Sequence, residues 1–252
     1  MTLAVPSSNS QTIDLILVVP CYNEAHRLQK KKFEQFLNSN PDCAFIFVDD
    51  GSTDSTGEML KKWEDQNKLS IRVIVQNQNQ GKAEAVRVGM LEALKLNPKK
   101  IGFLDADLSV TSEECFRLSK YINATILFVF GSRIKKIDNT IERKWYRFFI
   151  GRVIATIISK MLSLPVYDTQ CGGKVFDASI VRMLFEKCFI SRWLFDVELF
   201  FRAMEGLGKE EFRQKSMEVP VEQWIDTPDS KVPFGYAFSL WFDLIKIYKE
   251  YR

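Results

Sequence analysis

The sequence contains little histidine and cysteine, and these shortages argue against two classes of protein. The five cysteines are widely spaced and include no Cys-x-x-Cys pair, so we expect neither a disulfide framework nor a zinc site. This cysteine usage is typical of a reducing, cytosolic compartment. The only histidine, His26, is assigned to a helix surface rather than to catalysis.

Long apolar runs and an excess of one charge are also missing. No uncharged segment reaches the roughly 18 residues needed to span a bilayer. The N-terminus lacks the basic and apolar regions of a signal peptide, so we expect neither secretion nor a transmembrane segment. The net charge is only +3, and no run of Arg and Lys alternates with aromatic residues. We therefore do not expect a nucleic-acid partner.

The apolar residues that are present predict one α/β domain. With 252 residues, of which 46% are hydrophobic, the chain can bury one large core. Short apolar strands alternate with helical patterns, which favours a doubly wound, mostly parallel sheet flanked by helices. Strands are predicted at 13–19, 44–48, 71–75, 101–104 and 126–130, and helices at 24–37, 55–66, 82–96 and 112–121. We expect a flexible tail at 1–11 and a domain at 12–225.

The second half of the sequence has a different pattern. Residues 144–164 have the period of an amphipathic helix, with Trp145, Val153 and Ile157 on its apolar side. The surrounding stretch 131–165 carries eight basic residues against two acidic ones, which makes it a candidate contact for an anion or a membrane surface. Further on, we predict a helix at 195–204, a strand-like segment at 211–220 and an aromatic helix within 226–252, from about 236 to 248.

Polar segments follow the first four strands. In a parallel sheet these segments meet at the carboxyl edge, where open α/β sheets bind ligands. Carboxylates gathered there need a cation, and the hard oxygen ligands of Asp105 and Asp107 suit Mg²⁺ or Mn²⁺ carrying a diphosphate. The pattern therefore predicts a nucleotide-linked substrate.

Taken together, the motifs resemble those of the GT-A glycosyltransferases of family 2. They follow one another in the expected order over residues 13–225. The segments 168–172 and 192–198 are similar to the dolichyl-phosphate β-glucosyltransferase branch. The resemblance rests on Pro20-Cys21-Tyr22-Asn23-Glu24, Val48-Asp49-Asp50-Gly51-Ser52-Thr53-Asp54, Asn79-Gln80-Gly81-Lys82, Leu104-Asp105-Ala106-Asp107, Asp168-Thr169-Gln170-Cys171-Gly172 and Arg192-Trp193-Leu194-Phe195-Asp196-Val197-Glu198.

The resemblance implies a role for individual residues. Asp105 and Asp107 would bind the metal, with Asp107 as the more direct ligand. Ser109 stands where some polyprenyl-phosphate mannosyltransferases have a metal-binding Gln, and Gly173 stands where Phe is expected. The nucleotide-sugar site would be formed by Pro20, Tyr22, Glu24, Asp49, Asp50, Lys82, Asp105 and Ala106, with Asp50 facing the base and Asp49 stabilising its loop.

The implied reaction is inverting transfer of glucose from UDP-glucose to dolichyl or polyprenyl phosphate. A lipid phosphate is already anionic, so it needs positive charge rather than a base. Arg133 is the first candidate for this contact, followed by Lys174 and Arg192. A saccharide acceptor would instead require a carboxylate base, for which Asp168 or Asp196 is the candidate. Another donor such as GDP-mannose, nucleotidyl transfer and a sugar-nucleotide sensor are the alternatives.

The amphipathic segment 144–164 fits a lipid acceptor. A helix with an apolar and a basic side can lie in the bilayer interface and favour anionic lipids. Eukaryotic relatives carry an N-terminal membrane anchor, and we expect this chain to attach peripherally to the cytosolic face instead. Packing of the helix against its own protein is the competing interpretation.

Overall fold

A computed structural model describes residues 13–142, 145–225 and 236–251 of the chain. Its first half alternates strands and helices, as predicted. The strands are buried and apolar because helices cover both faces of the sheet. The elements are β1 (Leu15–Cys21), α1 (Lys30–Ser39), β2 (Cys43–Asp49), α2 (Thr56–Gln66), β3 (Ile71–Val75), α3 (Lys82–Leu94), β4 (Lys100–Phe103), α4 (Ser112–Ser119) and β5 (Phe128–Ser132).

The second half adds short strands and longer helices. Two of its strands join the sheet of the first half, its helices contribute side chains to the apolar cluster on one face of that sheet, and the two remaining short strands form a separate two-stranded sheet. The elements are β6 (Thr140–Glu142), α5 (Trp145–Leu162), β7 (Lys174–Asp177), α6 (Ala178–Phe185), α7 (Phe195–Leu207), α8 (Lys209–Lys215), β8 (Ser216–Pro220), β9 (Gln223–Ile225) and α9 (Tyr236–Glu250).

The order of the strands determines which loops meet. Within the described residues, one seven-stranded sheet has the order β3-β2-β1-β4-β7-β5-β8. Strands β1 to β4 are parallel, β5 pairs in parallel with β8, and β7 is antiparallel to both β4 and β5. The carboxyl ends of β1 to β5 therefore share one edge with the amino end of β7. Loops from both halves of the chain converge at this edge.

The sheet separates two apolar clusters. Alternate side chains of a strand point to opposite faces. In β1, Ile16 and Val18 join the cluster formed with α3, α6 and α7. Leu15, Leu17 and Val19 join the cluster formed with α1, α2 and α4. Because β1 contributes side chains to both clusters, the sheet is held between its two layers of helices.

The first predicted helix begins later than expected. The sequence predicted a helix over 24–37, but α1 starts at Lys30. The backbone N–H of Glu24 donates to Thr56 Oγ1 at 2.8 Å, and Asn23 has a φ of +52°. These contacts tie the segment after β1 to the start of α2 and hold it in a turn.

The sequence predicts N-terminal caps at two helices: Ser55 with Glu58 has capping-box spacing, and Thr111 or Ser112 precedes the acidic first turn of Glu113 and Glu114. Thr111 caps α4, since its hydroxyl accepts the N–H of Glu114 at 3.1 Å, which confirms the prediction. The prediction of a capping box at Ser55 and Glu58 is wrong, because the side chain of Ser55 forms no hydrogen bond that caps α2. Asp54 instead accepts the N–H of Thr56 at 2.9 Å.

Two elements in the second half differ from prediction. The segment 211–220 forms the end of α8 followed by β8, so only its second part is a strand. Strand β7 and helix α6 were not predicted. Strand β7 has only four residues, with Lys174 and Asp177 at its ends, and such a short segment carries no clear period.

Helix α5 is present, but its buried face was only partly predicted. Ile158 is fully buried, whereas Val153, expected on the apolar side, is 59% exposed. Arg143 and Lys144, the side chain of Trp145 and the predicted tail 1–11 lie outside the described residues. Among the helices in the described part of the chain, none combines the length and apolar character needed to cross a bilayer.

Candidate active site

The turn after β4 carries the predicted acidic pair. Ser109 donates to Asp107 Oδ1 from its backbone N–H at 2.9 Å and from its hydroxyl at 2.8 Å. Leu108 has a φ of +56°, and its N–H donates to the carbonyl of Asp105 at 3.0 Å. This tight turn presents Asp105 and Asp107 at the carboxyl edge. Ser109 therefore holds one carboxylate of the pair in position.

Lys82 lies beside the acidic pair. Its Nζ is 2.5 Å from Asp105 Oδ1. Burial alone would lower the pKa of Lys82, but the charges of Asp105 and Asp196 outweigh burial and raise it. Lys82 therefore remains a cation in contact with the acidic turn.

The loop at 168–173 approaches Asp105 closely. A Cβ built on Gly172 would lie 2.6 Å from Asp105 Oδ2, so only glycine lets the loop approach this carboxylate so closely. A Cβ on Gly173 would lie 2.8 Å from Val110 Cγ1, so the side chain of Val110 occupies the space that Phe would need. The glycine pair brings the loop against the acidic turn.

The acidic pair fits a divalent metal ion by its chemistry. Asp105 and Asp107 supply hard carboxylate oxygens from one turn, and Gly172 places no side chain against the carboxylate of Asp105. In the described part of the chain, no group of three or more His, Cys, Asp or Glu residues could hold a metal ion. Substrate phosphate and water oxygens are the further ligands that such an ion usually takes.

A second polar loop lies between β3 and α3, at residues 76–81, and is called the Gly81 loop here. The buried carboxylate of Asp50 accepts the backbone N–H groups of Gln80 at 2.8 Å and Gly81 at 2.9 Å. Burial raises the pKa of Asp50, while these bonds and the charge of Arg192 oppose the rise. Gly81 has a φ of +100°. Asp50 thus holds the Gly81 loop against the end of β2.

The other residues predicted to bind the nucleotide lie at or just after the carboxyl ends of β1, β2 and β4. Asp49 accepts bonds from the backbone N–H and the hydroxyl of Ser52, within its own turn. The buried carboxylate of Glu24 binds Arg27 at 2.7 and 3.0 Å. Pro20 and Tyr22 are partly buried, and Ala106 is buried. The structure therefore places Glu24 and Asp49 in contacts with their own loops.

Arg133 and Asp168 form a two-bond ion pair. Arg133 Nε and Nη2 donate to the two carboxylate oxygens at 2.6 and 2.8 Å. Burial would raise the pKa of Asp168, but the charge and hydrogen bonds of Arg133 lower it to about 2. This pair links the end of β5 to the 168–173 loop.

Sequence reasoning did not identify the groups that support this ion pair. Glu218, in β8, accepts the backbone N–H groups of Tyr167 at 2.9 Å and Asp168 at 2.8 Å. The guanidinium of Arg133 lies 5.4 Å from the ring centre of Trp224, in β9. Because these groups follow Asp168 by about 50 residues or more, only the pairing of β5 with β8 and of β6 with β9 could have revealed them.

Lys174, predicted to contact the acceptor phosphate, and Asp196, predicted as a possible base, form a buried pair. Lys174 is fully buried, and its Nζ contacts the carbonyl of Cys171 at 2.7 Å and Asp196 Oδ1 at 2.6 Å. It therefore does not face an acceptor phosphate in this structure. Asp196, predicted as a possible base, is also buried and is the counter-ion of Lys174.

Arg192, predicted to contact the acceptor phosphate, lies beside the Gly81 loop. It is exposed, and the apolar part of its side chain lies against Gly81, at the loop held by Asp50. The structure thus brings Arg192 to the side of the site where Asp50 and Lys82 lie. Arg133 and Asp168 form a separate group on β5 and the 168–173 loop.

A mostly parallel sheet with an acidic turn at its carboxyl edge defines an α/β enzyme that binds its ligand at that edge. Residues 16–185 match the family model described as glycosyl transferase family 2. The dolichyl-phosphate beta-glucosyltransferase of Mus musculus is 30% identical over 271 residues, which cover 98% of this chain and 79% of that protein. A Trichomonas vaginalis protein of the same name, ALG5A, is 32% identical over 251 residues, covering 94% of this chain and 73% of that protein.

Among solved structures, glucosyl-3-phosphoglycerate synthase from Mycobacterium tuberculosis is similar in fold. That structure, in complex with Mn²⁺, UDP and glucosyl-3-phosphoglycerate, matches with a TM-score of 0.67 at 15% identity and covers 94% of this chain and 79% of that chain. The chain therefore belongs to glycosyl transferase family 2 and has the GT-A fold. The family resemblance, the fold class and the class of enzyme predicted from the sequence are confirmed.

Proposed function

We propose that the protein transfers glucose from UDP-glucose to dolichyl phosphate or a related polyprenyl phosphate, with inversion at the sugar. The observation that carries this proposal is the meeting of Asp105, Lys82 and Gly172 at one sheet edge. The names of the relatives from Mus musculus and Trichomonas vaginalis supply the sugar and the lipid acceptor. The Mn²⁺ and UDP in the similar synthase structure support a nucleotide donor and a divalent metal.

The acidic turn would act on the donor. Asp105 and Asp107 would hold Mg²⁺ or Mn²⁺, and the metal, when bound, supplies Lewis-acid stabilisation of the departing diphosphate. Lys82 adds a fixed positive charge beside the same turn, where it favours the negative charge that develops as the glycosyl bond breaks. The nucleoside would be held by Pro20, Tyr22, Glu24, Asp49, Asp50 and Ala106.

The charge state of the site supports a phosphate acceptor rather than a hydroxyl acceptor. A hydroxyl needs a general base, and the two candidate carboxylates, Asp168 and Asp196, are both paired with cations, the partly buried Arg133 and the fully buried Lys174. The low pKa of Asp168, about 2, makes it a poor proton acceptor near neutral pH. A phosphate monoester carries its own negative charge and needs no such base.

Arg133 remains our candidate for contact with the acceptor phosphate. It uses Nε and Nη2 to bind Asp168, and its third nitrogen, Nη1, takes no part in that pair. Asp168 therefore positions the guanidinium, while Nη1 provides a donor for a phosphate oxygen. We propose that Asp168 contributes through this positioning and not as a base.

The proposed acceptor implies contact with a membrane surface. We propose that the protein associates peripherally with the cytosolic face through α5 and its basic flank. The exposure of Val153 and Lys160 on α5 supports this proposal, although the face containing Ile158 packs on the core. Helix α9 also carries exposed apolar side chains.

The decisive assay measures lipid-extractable label from radiolabelled UDP-glucose with polyprenyl phosphate and Mg²⁺ or Mn²⁺. We expect product from UDP-glucose and none from a GDP-mannose control. Asp107→Ala should abolish transfer, while circular dichroism shows an unchanged fold. Product from a saccharide acceptor but not from polyprenyl phosphate would contradict the proposal, as would full turnover by Asp107→Ala.

A further inference from the structure

Arg192 and the Gly81 loop form one packed unit. A Cβ built on Gly81 would lie 2.9 Å from Arg192 Cγ, 3.0 Å from its Cβ and 3.1 Å from its Cδ. The carbonyl of Arg192 accepts the N–H of Ala83, in the first turn of α3, at 3.2 Å. The stem of Arg192 therefore covers the backbone of the loop, and the absence of a side chain at Gly81 makes this contact possible.

The charge of Arg192 acts on the same loop. It opposes the rise that burial causes in the pKa of Asp50, so the guanidinium influences the carboxylate that holds the loop. Lys82 follows Gly81 directly and contacts Asp105 at the acidic turn. Arg192 thus acts on Asp50, and Lys82 contacts Asp105. The two cations lie on the same side of the site, at the Gly81 loop and directly after it. Arg192 is exposed, so a ligand can reach it.

The backbone around Arg192 is held firmly. The hydroxyl of Ser191 accepts the N–H groups of Trp193 at 3.3 Å and Leu194 at 3.0 Å, and donates to Asp243 Oδ2 in α9 at 2.8 Å. Ser191 and Leu194 are both buried. The C-terminal helix therefore fixes the turn that carries Arg192 before α7 begins, which reduces the entropy lost when Arg192 binds a ligand.

We propose that Arg192 is a donor-binding residue whose guanidinium contacts the diphosphate of the sugar nucleotide, and not the acceptor phosphate predicted from the sequence. A guanidinium matches the geometry of phosphate oxygens and can form two parallel hydrogen bonds with them. This inference rests on the proposed nucleotide donor, but it does not depend on the identity of the acceptor.

The test compares nucleotide binding with kinetics in Arg192→Gln, which keeps much of the stem over Gly81 and removes the charge. Binding of UDP and of GDP with Mn²⁺ is measured by calorimetry, together with KM for UDP-glucose and for polyprenyl phosphate. We expect Kd for UDP and KM for UDP-glucose to rise about tenfold or more, as for loss of a charge-assisted hydrogen bond. KM for polyprenyl phosphate should change less than about twofold.

Arg192→Lys should restore part of the nucleotide affinity, and Arg213→Gln, at an exposed arginine on α8, serves as the matched control. Unchanged UDP affinity in Arg192→Gln would overturn the inference while leaving the proposed function intact. A rise confined to KM for polyprenyl phosphate would return Arg192 to the acceptor side. A wild-type protein that binds neither UDP nor GDP would overturn both proposals. Binding of UDP that depends on Arg192, without lipid product, would support the inference and contradict the proposed acceptor.

Discussion

At the scale of residues, the site consists of cations already paired with carboxylates. Lys82 contacts Asp105, Lys174 contacts Asp196, and Arg133 contacts Asp168. The sequence presents these six residues as separate functional groups, but folding joins them in pairs. A buried charge that loses its partner costs more than the intact pair contributes, so single substitutions should have large effects.

We expect Lys174→Met to destabilise the fold because it leaves Asp196 buried without its cation. The free energy of unfolding, measured by urea denaturation, should fall by about 3–5 kcal/mol. The double variant Lys174→Met with Asp196→Leu should recover a substantial part of this loss. Lys136→Met, at an exposed lysine, is the control. Fully additive effects of the two single substitutions would show that the pair is not coupled.

The ion pair of Arg133 and Asp168 should appear in the acid unfolding of the protein. The pKa of Asp168 lies at about 2 in the folded state, below its ordinary value of 3.8, so the ion pair contributes fully to stability above pH 3.8. The contribution is lost as pH falls from 3.8 through about 2, and it amounts to about 2 kcal/mol. Asp168→Asn should therefore flatten the dependence of the free energy of unfolding on pH in this window.

Asp138→Asn provides the matched control for the pH experiment, because Asp138 is exposed. Its acid profile should follow that of the wild type. At neutral pH, Asp168→Asn should be less stable than the control because Arg133 then lacks its anionic partner. An unchanged acid profile for Asp168→Asn would contradict the assignment of this stability to the ion pair.

At the scale of elements, α9 has two apolar faces. Leu244 and Ile247 are buried in the core, whereas Trp241, Phe242 and Ile245 are 42%, 68% and 50% exposed. The exposed lysines Lys246 and Lys249 lie on the same helix. An outward apolar surface with a Trp and nearby basic residues is typical of helices that lie in a bilayer interface. Helix α9 therefore completes the core and also presents a candidate membrane contact.

We expect the triple substitution Trp241→Ser, Phe242→Ser and Ile245→Ser to weaken binding to vesicles of anionic lipid by about tenfold or more, because it removes apolar surface that enters the interface. Cosedimentation measures the bound fraction. Charge reversal at Arg143, Lys144 and Arg147 should reduce binding mainly at low salt.

Leu69→Ser is the control for the vesicle experiment, since Leu69 is 97% exposed in the loop between α2 and β3. It should bind vesicles as the wild type does. The variants should retain turnover of a short, water-soluble polyprenyl phosphate, because their changes lie outside the acidic turn. Absence of vesicle binding by the wild type at low salt would contradict the membrane proposal.

At the scale of the whole molecule, the site joins distant parts of the chain on one rigid sheet. The acidic turn follows β4, the Gly81 loop follows β3, and the loop before β7 lies against both β4 and β5. The two apolar clusters that support the sheet contain no proposed metal ligand. Metal and nucleotide should therefore stabilise a fold that already exists, by binding to it.

We expect UDP with Mn²⁺, at about 100 times the Kd, to raise the unfolding temperature by roughly 5–10 °C. Addition of EDTA should remove this increase and leave the unfolding temperature of the ligand-free protein unchanged. Asp107→Ala should unfold like the wild type without ligand and show a much smaller increase with it. An undiminished increase in EDTA would contradict metal-dependent binding at the acidic turn.

The sequence predicted the features that depend on local patterns. Strand β3 and the start of α3 lie where the apolar period and the Gly81-Lys82 pair placed them, and Thr111 caps α4. The late start of α1 was not predicted, because Glu24 is held by Thr56, a residue on another element. Predictions from local sequence patterns were therefore confirmed where no residue from a distant part of the chain binds the segment.

The sequence by itself determined the α/β fold and the position of the acidic turn. The spacing of apolar residues decides which segments become parallel strands, and the polar residues that follow a strand mark where it ends. The tertiary structure decided the pairing of the charges. Lys174 became a buried counter-ion because the antiparallel strand β7 entered between β4 and β5, and Arg192 reached the Gly81 loop through the turn fixed by Ser191. Such contacts join residues that are far apart in the chain, and their geometry exists only after the sheet has formed.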